Sequence, residues 1–441
     1  MSFILLFFTF FFILYFTYII RRESLFSLVS FFIVFITFIY VIIPFLDVFF
    51  FEKTISFLYP VFIFIAFSSL AIGIFFGGKV KTFRSTILID FNEKIELSLL
   101  YFILLVSLLS LFVYIQSFGG LLQALISGAK LRYTDSGTQS IGAWGFLLYF
   151  VALSKIVSCV SFYRLLSGTD QKTKYKIMFF LGIAATLVFA IVNASRGAIV
   201  ITLLMFIYTY FFFQSHKKGA KFAQKVLIST LVLLPILLIF IVYGKVLIKH
   251  TANFIDSGSF EFSFSTYEDK RNAAGSRFIS EFSHPYESID YLLENETEPN
   301  YFKHFLTAPL NVIPSKIFNT KKQPRITEVN TKNISGSEEG GRPPGLIASF
   351  WYGGGIYMIF FMLFMYGFIL ATLQKHGQKM IRSNVLFSPY VAFIYFMIPW
   401  QSTNGDPSII LKSNIYLILF IILFYSWVIF YKKISWKIKT I

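Results

Sequence analysis

One cysteine, Cys159, occurs in 441 residues, and it lies within an apolar stretch. That excludes a disulfide framework, a thiol pair and a cysteine-based metal site, and it leaves the redox compartment unread. Charge is scarce too: Asp, Glu, Lys and Arg make up 14% of the chain against 56% hydrophobic residues, and the mean hydropathy is +0.71. An ordinary soluble domain is therefore excluded and a polytopic membrane protein indicated. The five histidines, at 216, 250, 284, 304 and 376, all fall outside the apolar runs, which argues against a proton relay or a buried metal site. HExxH, GxSxG, Walker and GxGxxG patterns are absent, so no metal or cofactor is expected.

Apolar runs are abundant. We place eleven spans, at about 3–20, 25–46, 55–76, 97–115, 143–163, 177–192, 197–213, 226–247, 346–373, 385–400 and 409–431. The first lacks a basic start and a small-residue cleavage site, so it reads as a retained span rather than a signal. The run from Ile177 to Phe213 is nearly twice the length of one crossing, yet it carries Arg196. An arginine in lipid costs about 2.5–3.5 kcal/mol even on the mildest scale, so a hairpin bent at Asn193–Gly197 is preferred, with Arg196 at the membrane face. The fold class is thus an all-α polytopic integral membrane protein. Its expected organisation is helices 1–8 over 1–247, a large extracytoplasmic segment containing short helices over 248–345, and helices 9–11 over 346–441.

The acids number 22 against 39 bases, for a net charge of +17 and a pI near 9.6. If the N-terminus faces outward, the inner connections hold 21 basic residues against five acids, whereas the four short outer ones hold only Lys53, Lys130, Arg132 and Arg196. The surplus is then the positive-inside signal, with no nucleic-acid surface implied. Residues 250–345 carry ten bases and thirteen acids; one or two short helices followed by an ordered coil are expected there. A short interfacial helix is expected around 121–131.

Several residues are chemical candidates. Asn193 and Ser195 are capping types, so a helix start beside Arg196 would gather free N–H groups and a guanidinium into a phosphate site; the bland reading is an interfacial arginine among lipid headgroups. In RFISEFSHPYES, Arg277 and Glu281 share one helical face, and Pro285 suits the first turn of a new helix capped by Ser283 or His284, with Glu287 near its third position. Arg277 is then a second phosphate ligand and Glu281 or His284 a general base; the alternative is a surface ion pair and a cap. Arg342 precedes the ninth span in GGRPPGLIASFWYGGG, as a ligand or as part of a simple turn. Its glycines let a helix or ligand approach closely. Arg132 is a weaker candidate of the same type or a headgroup anchor. Asp47 and Glu52 in DVFFFE read as solvated acids rather than the acidic motif of a lipid-linked sugar transferase. Trp351, Tyr352 and Tyr286 could stack on sugars or anchor the interface.

An outward hairpin bearing ASRGA, then RFISE, then PPGLIASFWYGGG within an eleven-span layout resembles the O-antigen polymerase (Wzy-type) family. The resemblance covers most of the chain in layout and only these short motifs in residues. It implies a metal-independent, inverting glycosyltransferase of lipopolysaccharide biosynthesis on the periplasmic face of the bacterial inner membrane, joining undecaprenyl-diphosphate-linked repeat units. Arg196 and Arg277, with Arg342, would hold the diphosphate; Glu281 or His284 would act as base. The partners implied are carrier-linked glycans, membrane lipid and a chain-length regulator. O-antigen ligases share such arginines together with a loop histidine, but SHPYES does not match their pattern. A flippase or exporter should instead place charges at mid-membrane; Lys155 and Lys412 are the few found.

Overall fold

The computed structural model describes residues 10, 26–81, 92–126, 143–192, 196–218, 282–295, 297–312, 324–336, 341–402 and 404–439. Along the chain its main helices are α1 (Leu28–Phe51), α2 (Leu58–Lys79), α3 (Glu93–Gln116), α4 (Leu147–Ser167), α5 (Lys172–Val192), α6 (Arg196–Lys218), α7 (His284–Glu294), α8 (Lys303–Val312), α9 (Ile326–Ser335), α10 (Gly345–Ser383), α11 (Ser388–Ser402) and α12 (Pro407–Lys439). Every regular element among the described residues is helical. Eight of them are long and apolar enough to cross a membrane: α1 to α6, α10 and α12. These correspond to eight of the eleven expected spans. The spans at 3–20 and 226–247 lie outside the described residues. The expected span at 385–400 is helical, a single turn at Val385–Phe387 running into α11, and its far end lies beside the start of α10, where Gly345 N–H donates to the Asn404 carbonyl at 3.3 Å. The chain is an all-helical polytopic membrane protein.

It divides into two compact units. The first joins residues 1–84, 271–383 and 394–413, and its backbone is α2 packed along α10. Gly73 makes this approach possible: a Cβ there would lie 2.0 Å from the Phe364 carbonyl oxygen, and one at Gly367 2.3 Å from that of Leu70. Small residues are the usual means of close helix contact in lipid, where no hydrophobic force drives helices together. α1 contains a π turn at Phe38–Ile42 just before Pro44. Proline has no N–H for the carbonyl of Tyr40, and that carbonyl accepts instead from the Tyr59 hydroxyl at 3.0 Å.

α10 is broken at Gly355, whose φ of 74° and ψ of −178° interrupt the hydrogen bonds that Tyr352 and Gly353 would make four residues on. Asn300 N–H donates to the Tyr352 carbonyl at 2.8 Å and Phe302 N–H to that of Gly353 at 3.0 Å, so a second segment satisfies the groups the break releases. The Phe302 ring seats against Gly353, where a Cβ would come within 2.6 Å of it. α8 follows directly. Its His304 is 5% exposed and donates through Nδ1 to Asn300 Oδ1 at 2.8 Å. Burial, partly opposed by the charge of Asp406, lowers its pKa from 6.5 to about 4. Between those values the unfolded chain binds a proton that the folded one does not, so stability falls as pH drops from about 6.5 to about 4. Thermal unfolding in detergent is expected to show this slope in the wild type and to lose it in His304→Gln; an unchanged slope in the variant would refute the assignment.

Three short helices, α7 to α9, occupy the described part of 250–345. α8 and α9 both fall in the half expected to be coil, a correction that traces to inward faces formed by His304 and Ala308 in α8 and by Ile326, Thr327, Asn330 and Thr331 in α9.

The second unit joins residues 85–270, 384–393 and 414–441. α5 and α6 form the hairpin expected there, with α6 starting at Arg196. Residues 121–126, where an interfacial helix is expected, are helical. At one end of α3, Glu96 is 0% exposed and receives Arg164 Nε at 2.7 Å, Arg164 Nη2 at 2.8 Å, the Tyr175 hydroxyl at 2.8 Å and the Tyr390 hydroxyl at 3.1 Å. These charges are therefore an internal pair, although in the sequence they count among the charges of the inner connections.

Candidate functional site

In the first unit a charged cluster forms where α1 turns into α2. α1 ends as Glu52 adopts a left-handed conformation (φ 52°), which turns the chain back over the helix end. Lys53 Nζ then lies 3.5 Å from Asp47 Oδ2 and 2.5 Å from Glu287 Oε1. α7 lies across this turn: Ser56 N–H donates to Asp290 Oδ1 at 2.9 Å, and the buried Tyr286 hydroxyl donates to Asp47. Burial, then the Asp47 carboxylate, pushes the Tyr286 phenol well above its ordinary value and keeps it a donor. Burial also raises the Asp290 carboxyl, against the Ser56 N–H.

The third component comes from the turn before α10. Arg342 N–H donates to Thr331 Oγ1 at 2.9 Å, and its carbonyl accepts from Asn330 Nδ2 at 2.7 Å, so α9 fixes the backbone. Its guanidinium Nη1 stands 3.7 Å from Glu287 Oε2. His284 Nδ1 is 3.6 Å from the same oxygen, beyond a hydrogen bond but well within electrostatic range. Glu287 is thus surrounded by Lys53, His284 and Arg342, drawn from two regions of sequence far from its own helix and from the start of that helix. Burial alone would raise its carboxyl; His284 and Lys53 outweigh that and hold it at about 2, so it stays ionised and is a weak base.

Of the residues singled out in the sequence, the structure brings His284 and Arg342 together. α7 does begin at His284 with Pro285 in its first turn, but Ser283 has helical φ/ψ and makes no side-chain cap bond. Trp351 packs against Phe62 with ring centroids 5.3 Å apart, and the buried Tyr352 hydroxyl donates to Asn330 Oδ1 at 3.1 Å and accepts from Asn333 Nδ2 at 3.2 Å. Both rings are thus engaged in packing. Arg196 is the first residue of α6. Arg277, Glu281 and Arg132 lie outside the described residues. Asp47 is a correction: it is 8% exposed and paired with Tyr286 and Lys53, rather than solvated. Lys53 and Glu287 are the two members that sequence reasoning did not select. The signal available was that Lys53 is one of only four basic residues in the short connections expected to face outward. Among the described residues no group of three or more His, Cys, Asp or Glu side chains is gathered as a metal site requires.

No protein-family model, curated protein or solved structure matches the chain. What fold and cluster define is a class: an all-helical polytopic membrane protein with a dense set of opposite charges at one end of its spans.

Proposed function

We propose that the chain is an O-antigen polymerase of the Wzy type, a glycosyltransferase that joins undecaprenyl-diphosphate-linked repeat units on the periplasmic face of the bacterial inner membrane. The observation that carries this reading is the convergence of Lys53, His284 and Arg342 on Glu287, beside the turn from α1 to α2 and the start of α10. The opposite ends of α2 and α10 bear Lys79, Lys375, Lys379 and Arg382, so the positive-inside rule turns the cluster outward. If the expected spans at 3–20 and 385–400 also cross, that orientation puts the N-terminus in the periplasm and the C-terminus in the cytoplasm.

The chemistry requires such a set. As the bond between the donor sugar's anomeric carbon and its phosphate oxygen breaks, the lipid diphosphate leaves with the electron pair and its charge must be stabilised. Lys53 and Arg342 supply cations for this without a metal, each charge-assisted hydrogen bond being worth about 1.5–3 kcal/mol. The acceptor hydroxyl forms the new bond to the anomeric carbon and gives its proton to a base. His284, an imidazole beside the Glu287 carboxylate, suits that role, as does Glu281. Arg196 and Arg277 are the further cations that the family resemblance implies.

Purified protein in lipid nanodiscs, supplied with carrier-linked repeat units, is expected to produce a ladder of longer carrier-linked chains. Transfer to a different lipid acceptor would make it a ligase. In cells, Arg196→Ala and Arg277→Ala are each expected to abolish long chains while protein level and single-repeat lipid remain; normal ladders in both would refute the role given to these arginines.

A further inference from the structure

We propose that Glu287 is a resident anion that fills the seat of a phosphate group, and that a phosphate-bearing ligand binds by displacing it from Lys53 and Arg342. The identity of that ligand as a lipid-linked diphosphate rests on the function proposed above; the seat itself rests on geometry. Three basic side chains face one carboxylate, yet only Lys53 is within hydrogen-bond distance of it. Glu287 Oε2 is shared between His284 at 3.6 Å and Arg342 at 3.7 Å and has no hydrogen-bond partner. Charge-assisted bonds of this type close to about 2.7–2.9 Å, so the imidazole and the guanidinium both stand nearly 1 Å beyond that distance from the carboxylate. A phosphate group, with more oxygens spread over a larger radius, can close both contacts together.

Access and charge fit this exchange. The side chains of Lys53 and Arg342 are 38% and 28% exposed against 17% for Glu287, so the cations line the open side of the seat and the carboxylate its floor. The site also lies at the first turn of α7, where the helix dipole favours an anion. Because the basic neighbours keep Glu287 ionised, an incoming phosphate exchanges one full negative charge for another and leaves no cation unpaired. Glu287 can remain beside His284 after it releases the other two.

The test is titration calorimetry of inorganic pyrophosphate into the purified full-length protein. Glu287→Gln removes the competing charge and is expected to tighten binding at least tenfold; Glu287→Asp, which withdraws the carboxylate by one methylene, should tighten it less. Lys53→Gln should weaken it by a similar factor. Unchanged or weaker binding in both Glu287 variants overturns the proposal, and the aspartate variant provides the answer should the glutamine variant not fold. Nanodiscs of phosphatidylglycerol and of phosphatidylcholine separate the sources of phosphate: a gain confined to phosphatidylglycerol, with none for pyrophosphate, overturns the assignment to a diphosphate. No sugar or acceptor is present, so a failure of the polymerase reading would register separately, as absent chain growth.

Discussion

Arg164→Ala is expected to destabilise the protein by about 3–5 kcal/mol, the usual cost of leaving one member of a buried ion pair alone. Arg164 is 4% exposed and Glu96 0%, and the guanidinium makes two bonds to the carboxylate and a third, at 2.7 Å, to the Leu386 carbonyl. Its removal strands a charge whose remaining partners are two tyrosine hydroxyls. The same argument predicts that a double replacement, Arg164→Met with Glu96→Leu, recovers much of the loss, because no ion then remains to be desolvated. Thermal unfolding in detergent would measure both. A cost below about 1 kcal/mol for the single variant would mean that water reaches the pair, as it does for exposed ion pairs.

Under the polymerase function proposed above, Lys53→Ala and Arg342→Ala are each expected to reduce chain growth by roughly tenfold to a hundredfold, the equivalent of one charge-assisted hydrogen bond to the departing diphosphate. Loss of both should leave single-repeat products only. The Arg342 backbone is held by Thr331 and Asn330 through main-chain atoms, so truncating its side chain should spare the turn and leave the protein level unchanged. Arg342→Lys should recover part of the activity, since charge returns without the two-pronged geometry. Gel ladders of carrier-linked glycan from reconstituted protein decide the matter; wild-type ladders from the double variant would separate this cluster from catalysis.

Most of the spans were legible because hydropathy follows directly from composition and the length of a crossing is set by the bilayer. Arg196 shows how much one residue can decide: the cost of a guanidinium in lipid divides an overlong apolar run, and α5 and α6 separate just before it. Pro285 likewise marks the first turn of α7. By contrast, Glu96 and Arg164 are 68 residues apart and belong, in sequence, to two different connections between spans; only the folded chain turns them into a buried pair. Lys53 and Glu287, 234 positions apart, stand out singly in the sequence, as a scarce base and a first-turn acid, but not as a pair. The glycine run of α10 announced close approach, but not that its partner would be the backbone of Asn300 and Phe302.

The sequence by itself determined that this protein is helical, that it is built of membrane-crossing segments, and where its basic surplus lies, since each of these is a sum over local chemistry and bilayer thickness. Only the tertiary structure decided which charges are neutralised, which carbonyls are rescued at a helix break, and which cations gather on Glu287. Those outcomes depend on contacts between residues hundreds of positions apart, where a charge is tolerated only if some distant partner reaches it.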